Sequence, residues 1–173
     1  MNNDFPVPVN DRYFEDYLPG MVLRAGSEYV DQKEVIDFGA RFDPQWIHTD
    51  PSKAAEGPFQ GLIASGWHTA SLMMRIFANC YINQDATLGG AGVDDLRWTT
   101  PVRPDDVLSA QFTVVSARRS RSKPDRGLIS TAVEVYREDG TVVMTLTTLS
   151  MLRVRPHESQ RSHRLPEAAG EPT

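Results

Sequence analysis

Within Arg41-Phe42-Asp43-Pro44-Gln45-Trp46-Ile47-His48-Thr49-Asp50-Pro51 a carboxylate and an imidazole stand five residues apart. An Asp that accepts a proton and a His that donates one form a pair able to activate a water and deliver a proton. Pro44 restricts Asp43, and Asp50-Pro51 opens a new helical turn, so the connection between the two side chains is stiff. A plainer reading stands beside this one: Asp43 ends a helix, and His48 satisfies a backbone group. Other candidates carry less chemistry. His68 reads as a structural histidine bonded to a carbonyl, and Ser71 as a hydroxyl bonded back to its own helix. The glycine cluster at 89–92 lacks both the P-loop lysine and the dinucleotide-binding spacing, and is predicted to be a loop. No nucleophile elbow and no Ser-His-Asp spacing stands out.

The elements that must position these residues are legible in outline. A first strand is expected over 21–30. Asp31, with Glu34 three residues on, marks a capped helix start, and Val35, Phe38 and Phe42 recur at helical spacing. That helix should stop before Asp43, because Pro44 discourages the helical region at the residue before it. Asp50 and Pro51 suit the cap and first position of a short second helix. From 65 to 83 the pattern predicts the longest helix, apolar almost all round and therefore buried. After the glycines the period changes to that of strands, at 93–100, 107–117, 128–137 and 142–154, with Glu138-Asp139-Gly140 as a tight turn. One buried helix beside a run of antiparallel strands is an α+β layout. Its exposed sheet edges predict pairing with a second copy, hence a homodimer or a higher homo-oligomer built from it.

Composition limits the alternatives. The chain has 173 residues, with 18 Lys and Arg against 23 Asp and Glu, for a net charge of −5. The size fits one domain, and the acidic balance argues against a general nucleic-acid binder. Cys80 is the single cysteine, so neither an intrachain disulfide nor a cysteine-based zinc site is expected. The N-terminal residues carry no secretory pattern, and the longest uncharged run, 57–74, holds too many polar groups for a membrane span. A cytoplasmic protein with no membrane partner is the expectation. Three segments are predicted: an N-terminal arm at 1–17 with Tyr13, Phe14 and Tyr17 as candidate anchors, a domain at 18–155, and a disordered tail at 156–173.

Three ordered motifs then carry a resemblance. Asp43-Pro44-Gln45-Trp46-Ile47-His48-Thr49-Asp50-Pro51, Gly61-Leu62-Ile63-Ala64-Ser65-Gly66-Trp67-His68-Thr69-Ala70 and Trp98-Thr99-Thr100-Pro101-Val102-Arg103-Pro104-Asp105-Asp106 resemble segments of the MaoC-like dehydratases. These form the (R)-specific enoyl-CoA hydratase branch of the hot-dog superfamily. The resemblance implies a hot-dog fold, a mostly antiparallel sheet wrapped around one long helix. It also implies that Asp43 and His48 hold a water that adds to a trans-2-enoyl thioester. It gives the Gly66 amide the role of binding the thioester oxygen, a kind of contact typically worth a factor of ~10²–10³ in rate.

This chain departs from the family's hydratase motif at four positions. Gln45 stands for an Asn, Trp46 for a Pro, Ser65 for a His and Asp105 for a turn glycine. Gln45 preserves an amide at the site, so Gln45 and Ser65 join Gly66 as substrate-side candidates. The substrate implied is a coenzyme A thioester, with no further cofactor and no metal. Arg118, Arg119, Arg121 and Lys123 read either as a solvated hairpin loop or as a docking point for the CoA phosphates. Two other functions stay open at this stage, a hot-dog acyl-CoA thioesterase and a noncatalytic acyl-CoA-binding subunit.

Overall fold

The structure is a computed structural model that describes residues 4–156. All of the predicted tail but Pro156 therefore lies outside the described residues. The elements in chain order are β1 (Val22–Tyr29), α1 (Gln32–Phe42), α2 (Trp46–Thr49), α3 (Pro51–Ala55), α4 (Gly66–Ile76), β2 (Thr87–Trp98), β3 (Val107–Arg119), β4 (Arg126–Arg137) and β5 (Val142–Arg153). The strands form one antiparallel sheet in the order β1-β3-β4-β5-β2. Helix α4 packs on β1 and β3, which is the α+β hot-dog arrangement expected from the sequence.

Local chemistry explains the boundaries. Asp31 Oδ1 accepts from the Glu34 amide at 2.9 Å and starts α1. Asp50 Oδ1 accepts from Lys53 N at 3.0 Å, with Pro51 at the first position of α3. Ser65 caps α4 by accepting from Trp67 N. Each such cap satisfies a donor that the helix itself leaves open. Along β4, Ile129, Thr131, Val133 and Val135 point inward in strict alternation. They meet Leu108, Ala110 and Phe112 of β3 and Leu72, Met73 and Ile76 of α4 in the core. Each large side chain buried this way contributes about 1.5–3 kcal/mol. Gly26 marks where α4 presses hardest on the sheet. Its φ is +93°, at an irregularity in β1, and a Cβ there would lie 2.7 Å from Ile76 Cγ2.

Three expectations need correction. Helix α4 ends as an α-helix at Ile76 and continues as a π-turn over Phe77–Tyr81, short of Asn83. It is not buried all round: Trp67 is 59% exposed and Met74 47%, because the sheet stops at β2 and leaves that side of the helix open. The glycines at 89–92 are not a loop. They belong to β2, which begins at Thr87 and absorbs them through two register irregularities against β5.

The described part of the N-terminal arm is tied into the core. Phe5, Tyr17 and Tyr81 meet edge to face, and buried Arg12 donates through Nη1 to the Cys80 and Tyr81 carbonyls beyond α4. Of the three expected anchors Tyr17 is buried and Phe14 packs partly buried against the core beside Gly127, and the anchors Phe5 and Arg12 were missed. Among the described residues no helix is long and apolar enough to cross a membrane.

Candidate active site

Asp43 is the C-cap of α1, and His48 lies on α2, a single turn that the sequence reading left out. The turn forms because Gln45 has extended backbone after Pro44 and its carbonyl then accepts from His48 N at 2.9 Å. Gly39 of α1 lets α2 sit close, since a Cβ there would come within 3.0 Å of His48 Cβ. The two side chains consequently meet, with His48 Nε2 3.3 Å from Asp43 Oδ2.

Every other contact of this pair is fixed. Gln45 Nε2 donates to Asp43 Oδ1 at 2.7 Å, and the fully buried Ser65 donates through Oγ to Asp43 Oδ2 at 2.7 Å. These two bonds, Gln45 first, hold the Asp43 carboxyl below the usual carboxylate range against the opposing effect of burial. His48 Nδ1 lies 2.8 Å from the Ile63 carbonyl oxygen. A carbonyl only accepts, so Nδ1 carries the proton and Nε2 of a neutral ring carries a lone pair. That lone pair faces a carboxylate oxygen. Two acceptors at this separation are reconciled by a proton between them or by a water that donates to both.

A cavity of about 320 Å³ opens beside the pair, lined by His48, Gly66, Thr69, Trp98 and Val143 among others. Gly66 is the first residue of α4, and its amide has no partner among the described residues. It is an unpaired donor at the positive end of a helix, at a residue that lines the cavity. His48 and Gly66 thus share the cavity. Asp43 does not line it and reaches it through His48. Gln45 and Ser65 do not line it either, since both are committed to Asp43.

Other residues fall differently from expectation. Among the described residues His68 makes no carbonyl bond and its buried Nδ1 has no partner; its ring stacks on Phe38 at 4.9 Å, and burial pushes its pKa down. Ser71 does bond back to its helix, donating to the Trp67 carbonyl at 2.8 Å. Trp46 lies against the turn at Gly57 under Lys53, away from the cavity. Among the described residues no group of three His, Cys, Asp or Glu side chains is placed to hold a metal ion.

The cationic residues lie elsewhere in this chain. Arg118 and Arg121 line a separate groove of about 450 Å³ with Arg126 and Met151, Arg119 pairs with Glu15 at 2.8 Å, and Lys123 does not line the groove. Val143 at the cavity and Met151 at the groove sit near opposite ends of β5. At about 3.3 Å per residue, that separation is roughly 26 Å. Sequence reading also missed Thr69 and Trp98 as cavity residues. Trp98 carried one signal, its place at the end of a strand directly before the Thr99-Thr100-Pro101 turn.

Comparison with known proteins gives the same picture. The sequence model of the family described as "MaoC like domain" matches residues 17–153. The 3-hydroxyacyl-thioester dehydratase Z of Mycobacterium tuberculosis is 33% identical over 108 residues, 61% of this chain and 72% of the relative. The crystal structure of a MaoC-like dehydratase from Rhodospirillum rubrum superposes with a TM-score of 0.78 at 32% identity, covering 84% of this chain and 99% of that one. The unliganded R-hydratase PhaJ1 of Pseudomonas aeruginosa shares the fold, with a TM-score of 0.63 at 20% identity over 95% of this chain and 97% of that one. With His48 and an unpaired helix-terminal amide lining one cavity inside a hot-dog fold, and a family match spanning most of its length, the chain belongs to the MaoC-like family, whose members support hydratase and dehydratase chemistry.

Proposed function

We propose that the chain is a hydro-lyase that adds water to a trans-2-enoyl-CoA, or removes it from the 3-hydroxyacyl-CoA, without a further cofactor. The observation that carries this reading is the 3.3 Å approach of two acceptors, Asp43 Oδ2 and His48 Nε2, beside a cavity that also presents the Gly66 amide. A water seated to one side of the pair, within hydrogen-bond reach of both atoms, donates one hydrogen to each. As its oxygen bonds to the β-carbon, Asp43 takes one proton and the other stays on the new hydroxyl. Electron density moves through the α-carbon onto the thioester oxygen, where the Gly66 amide stabilises it. The proton held by Asp43 then passes through His48 Nε2, the member of the pair that lines the cavity, to the α-carbon. Atoms and charge balance, and the reverse sequence is dehydration. Asp43 is the base, His48 its partner in proton transfer, Gly66 the oxyanion donor, and Gln45 and Ser65 position the base. Arg118, Arg119, Arg121 and Lys123 have no part in this step within one chain.

Loss of the enoyl-thioester absorbance of crotonyl-CoA is the direct assay. Asp43→Asn and His48→Ala should each lower kcat by a factor of ~10²–10⁴, the usual worth of a positioned acid–base group. Unchanged rates in both variants would end the proposal. Thiol release from a saturated acyl-CoA would assign the site to hydrolysis instead.

The protein in solution is further proposed to be a homodimer. Among the described residues strand β2 pairs only with β5, so its outer edge is open there, and Val93 on it is 53% exposed. A second copy is the simplest cover for such an edge. Sedimentation equilibrium should return twice the chain mass of 19.3 kDa, and a monomer at all concentrations would refute it.

A further inference from the structure

The space beside Gly66 is occupied by an indole. A Cβ built on Gly66 would fall 2.4 Å from Trp98 Cε2 and 2.8 Å from its Nε1, so the Trp98 ring lies flat against the glycine at the head of α4. Trp98 in turn meets Trp67 edge to face, with centroids 5.3 Å apart and planes at 77°. The two rings face different spaces. Trp98 lines the catalytic cavity with His48 and Gly66, whereas Trp67 lines a larger apolar groove of about 530 Å³ with Met73, Met74, Val93 and Leu146. The indole pair is therefore the partition between the two.

The aim of Trp98 is a property of its strand. Between Asp94 and Arg97 the pairing of β2 with β5 gains an extra residue, and Asp95 has φ +52°. A bulge of this kind changes the face to which the residues beyond it point. Trp98 comes directly after it, at the end of an edge strand, and remains 45% exposed. Its ring consequently closes the cavity without belonging to the core, so truncating it leaves the core contacts in place.

We propose that Trp98 is the residue that limits acyl length: its indole, braced by Trp67, closes the cavity beyond a short acyl group and bars the distal chain from the apolar groove behind it. A cavity of about 320 Å³ lies at the small end of the range for ligand pockets. The groove adjoins the barrier on the Trp67 side and is almost wholly apolar in its lining, which suits methylenes; because Val93 belongs to that lining, in the homodimer proposed above the second copy walls the groove from outside. This inference rests on the acyl-thioester reading above, and it concerns which chains enter rather than the step that they undergo.

The test compares kcat/KM for trans-2-butenoyl-CoA and trans-2-octenoyl-CoA in the wild-type chain, Trp98→Ala and Trp98→Phe. The ratio of the two substrates cancels any general loss of activity. The octenoyl-to-butenoyl ratio should rise about tenfold or more in Trp98→Ala, the discrimination that a few methylenes carry in an apolar pocket. Trp98→Phe, which keeps a ring against Trp67, should lie between the two and serves where the alanine variant folds poorly. A ratio within about twofold of wild type in both variants would overturn the proposal. Calorimetric affinities for the saturated butanoyl-CoA and octanoyl-CoA read the same partition without chemistry. A wild-type chain that binds these but hydrates neither enoyl substrate would refute the hydratase reading alone. The partition would then stand or fall on whether the affinity ratio shifts in Trp98→Ala.

Discussion

Replacing Ser65 separates two jobs that one hydroxyl performs. Its oxygen accepts from the Trp67 amide, capping α4, while its hydrogen is donated to Asp43 Oδ2 at 2.7 Å. Ser65→Ala loses both. The cap is worth about 1 kcal/mol, and a hydrogen bond to a charged group about 1.5–3 kcal/mol, with the lower end fitting a carboxylate that is partly open to solvent. The expected loss is about 2–3 kcal/mol, or roughly 4–12 °C in Tm for a chain of this size. Ser65→Gly loses the bond to Asp43 just as fully but costs only a few tenths of a kcal/mol as a cap, so it should be the more stable variant by about 1 kcal/mol. Activity should not follow that order. The Asp43 carboxyl lies below its ordinary pKa because of its bonds from Gln45 and Ser65. Removing one raises it, so the acid limb of kcat/KM for crotonyl-CoA moves to higher pH, equally in both variants. Linkage gives a matching sign in stability. A depressed folded-state pKa stabilises above the unfolded value, and the gain disappears as pH falls through the folded value. The gap between wild type and Ser65→Gly should therefore narrow in acid. Thermal melts against pH and pH–rate profiles supply both readings. An unmoved acid limb, or a limb that moves in the alanine variant alone, would refute the assignment of Asp43 as the base held by Ser65.

Gly66→Ala should lower Tm by several degrees, since its Cβ would overlap the Trp98 ring, and the same change made in a Trp98→Ala background should cost far less. A double-mutant cycle on thermal stability measures that coupling, and additive effects would deny the contact. Arg12→Met should cost about 1–3 kcal/mol in chemical denaturation, because the Cys80 carbonyl loses its Arg12 donor and the Tyr81 carbonyl keeps only the Tyr17 hydroxyl. An unchanged midpoint would mean that the arm is not part of the folded unit.

How far the sequence reveals these features depends on the range of the forces involved. Caps and proline effects act over a few residues, which is why Asp31 and Asp50 were legible as caps and both do cap. The alternation of β4 was equally local, and its predicted limits differ from Arg126–Arg137 by two residues at one end. Features set by distant partners were not legible. Helix α4 looks fit for burial on every side, yet whether Trp67 and Met74 are covered depends on where the sheet stops. The glycines at 89–92 read as a loop because nothing local marks the β5 backbone that pairs with them. Asp105 was noted only as a departure from a turn glycine. Its φ of +72° shows that the turn keeps the left-handed conformation, which Asp tolerates better than most side chains.

The same distinction applies within the site. That Asp43 and His48 could cooperate followed from residue type and spacing, but the argument for a water between them did not. It needs Ile63, fifteen residues further on, whose carbonyl fixes the proton on Nδ1 and so turns the lone pair of Nε2 toward Asp43. Gly66 makes the complementary point. From sequence its lack of a side chain suggests room for a ligand at the amide, whereas the structure fills the Cβ position with an indole. The two accounts are compatible, because the Cβ direction and the N–H direction of one residue differ: the ring can wall the site on one side while the amide stays open along the helix axis. On the proposed mechanism one position then serves twice: its amide as the oxyanion donor, and its missing Cβ as the space that lets the Trp98 ring pack against it.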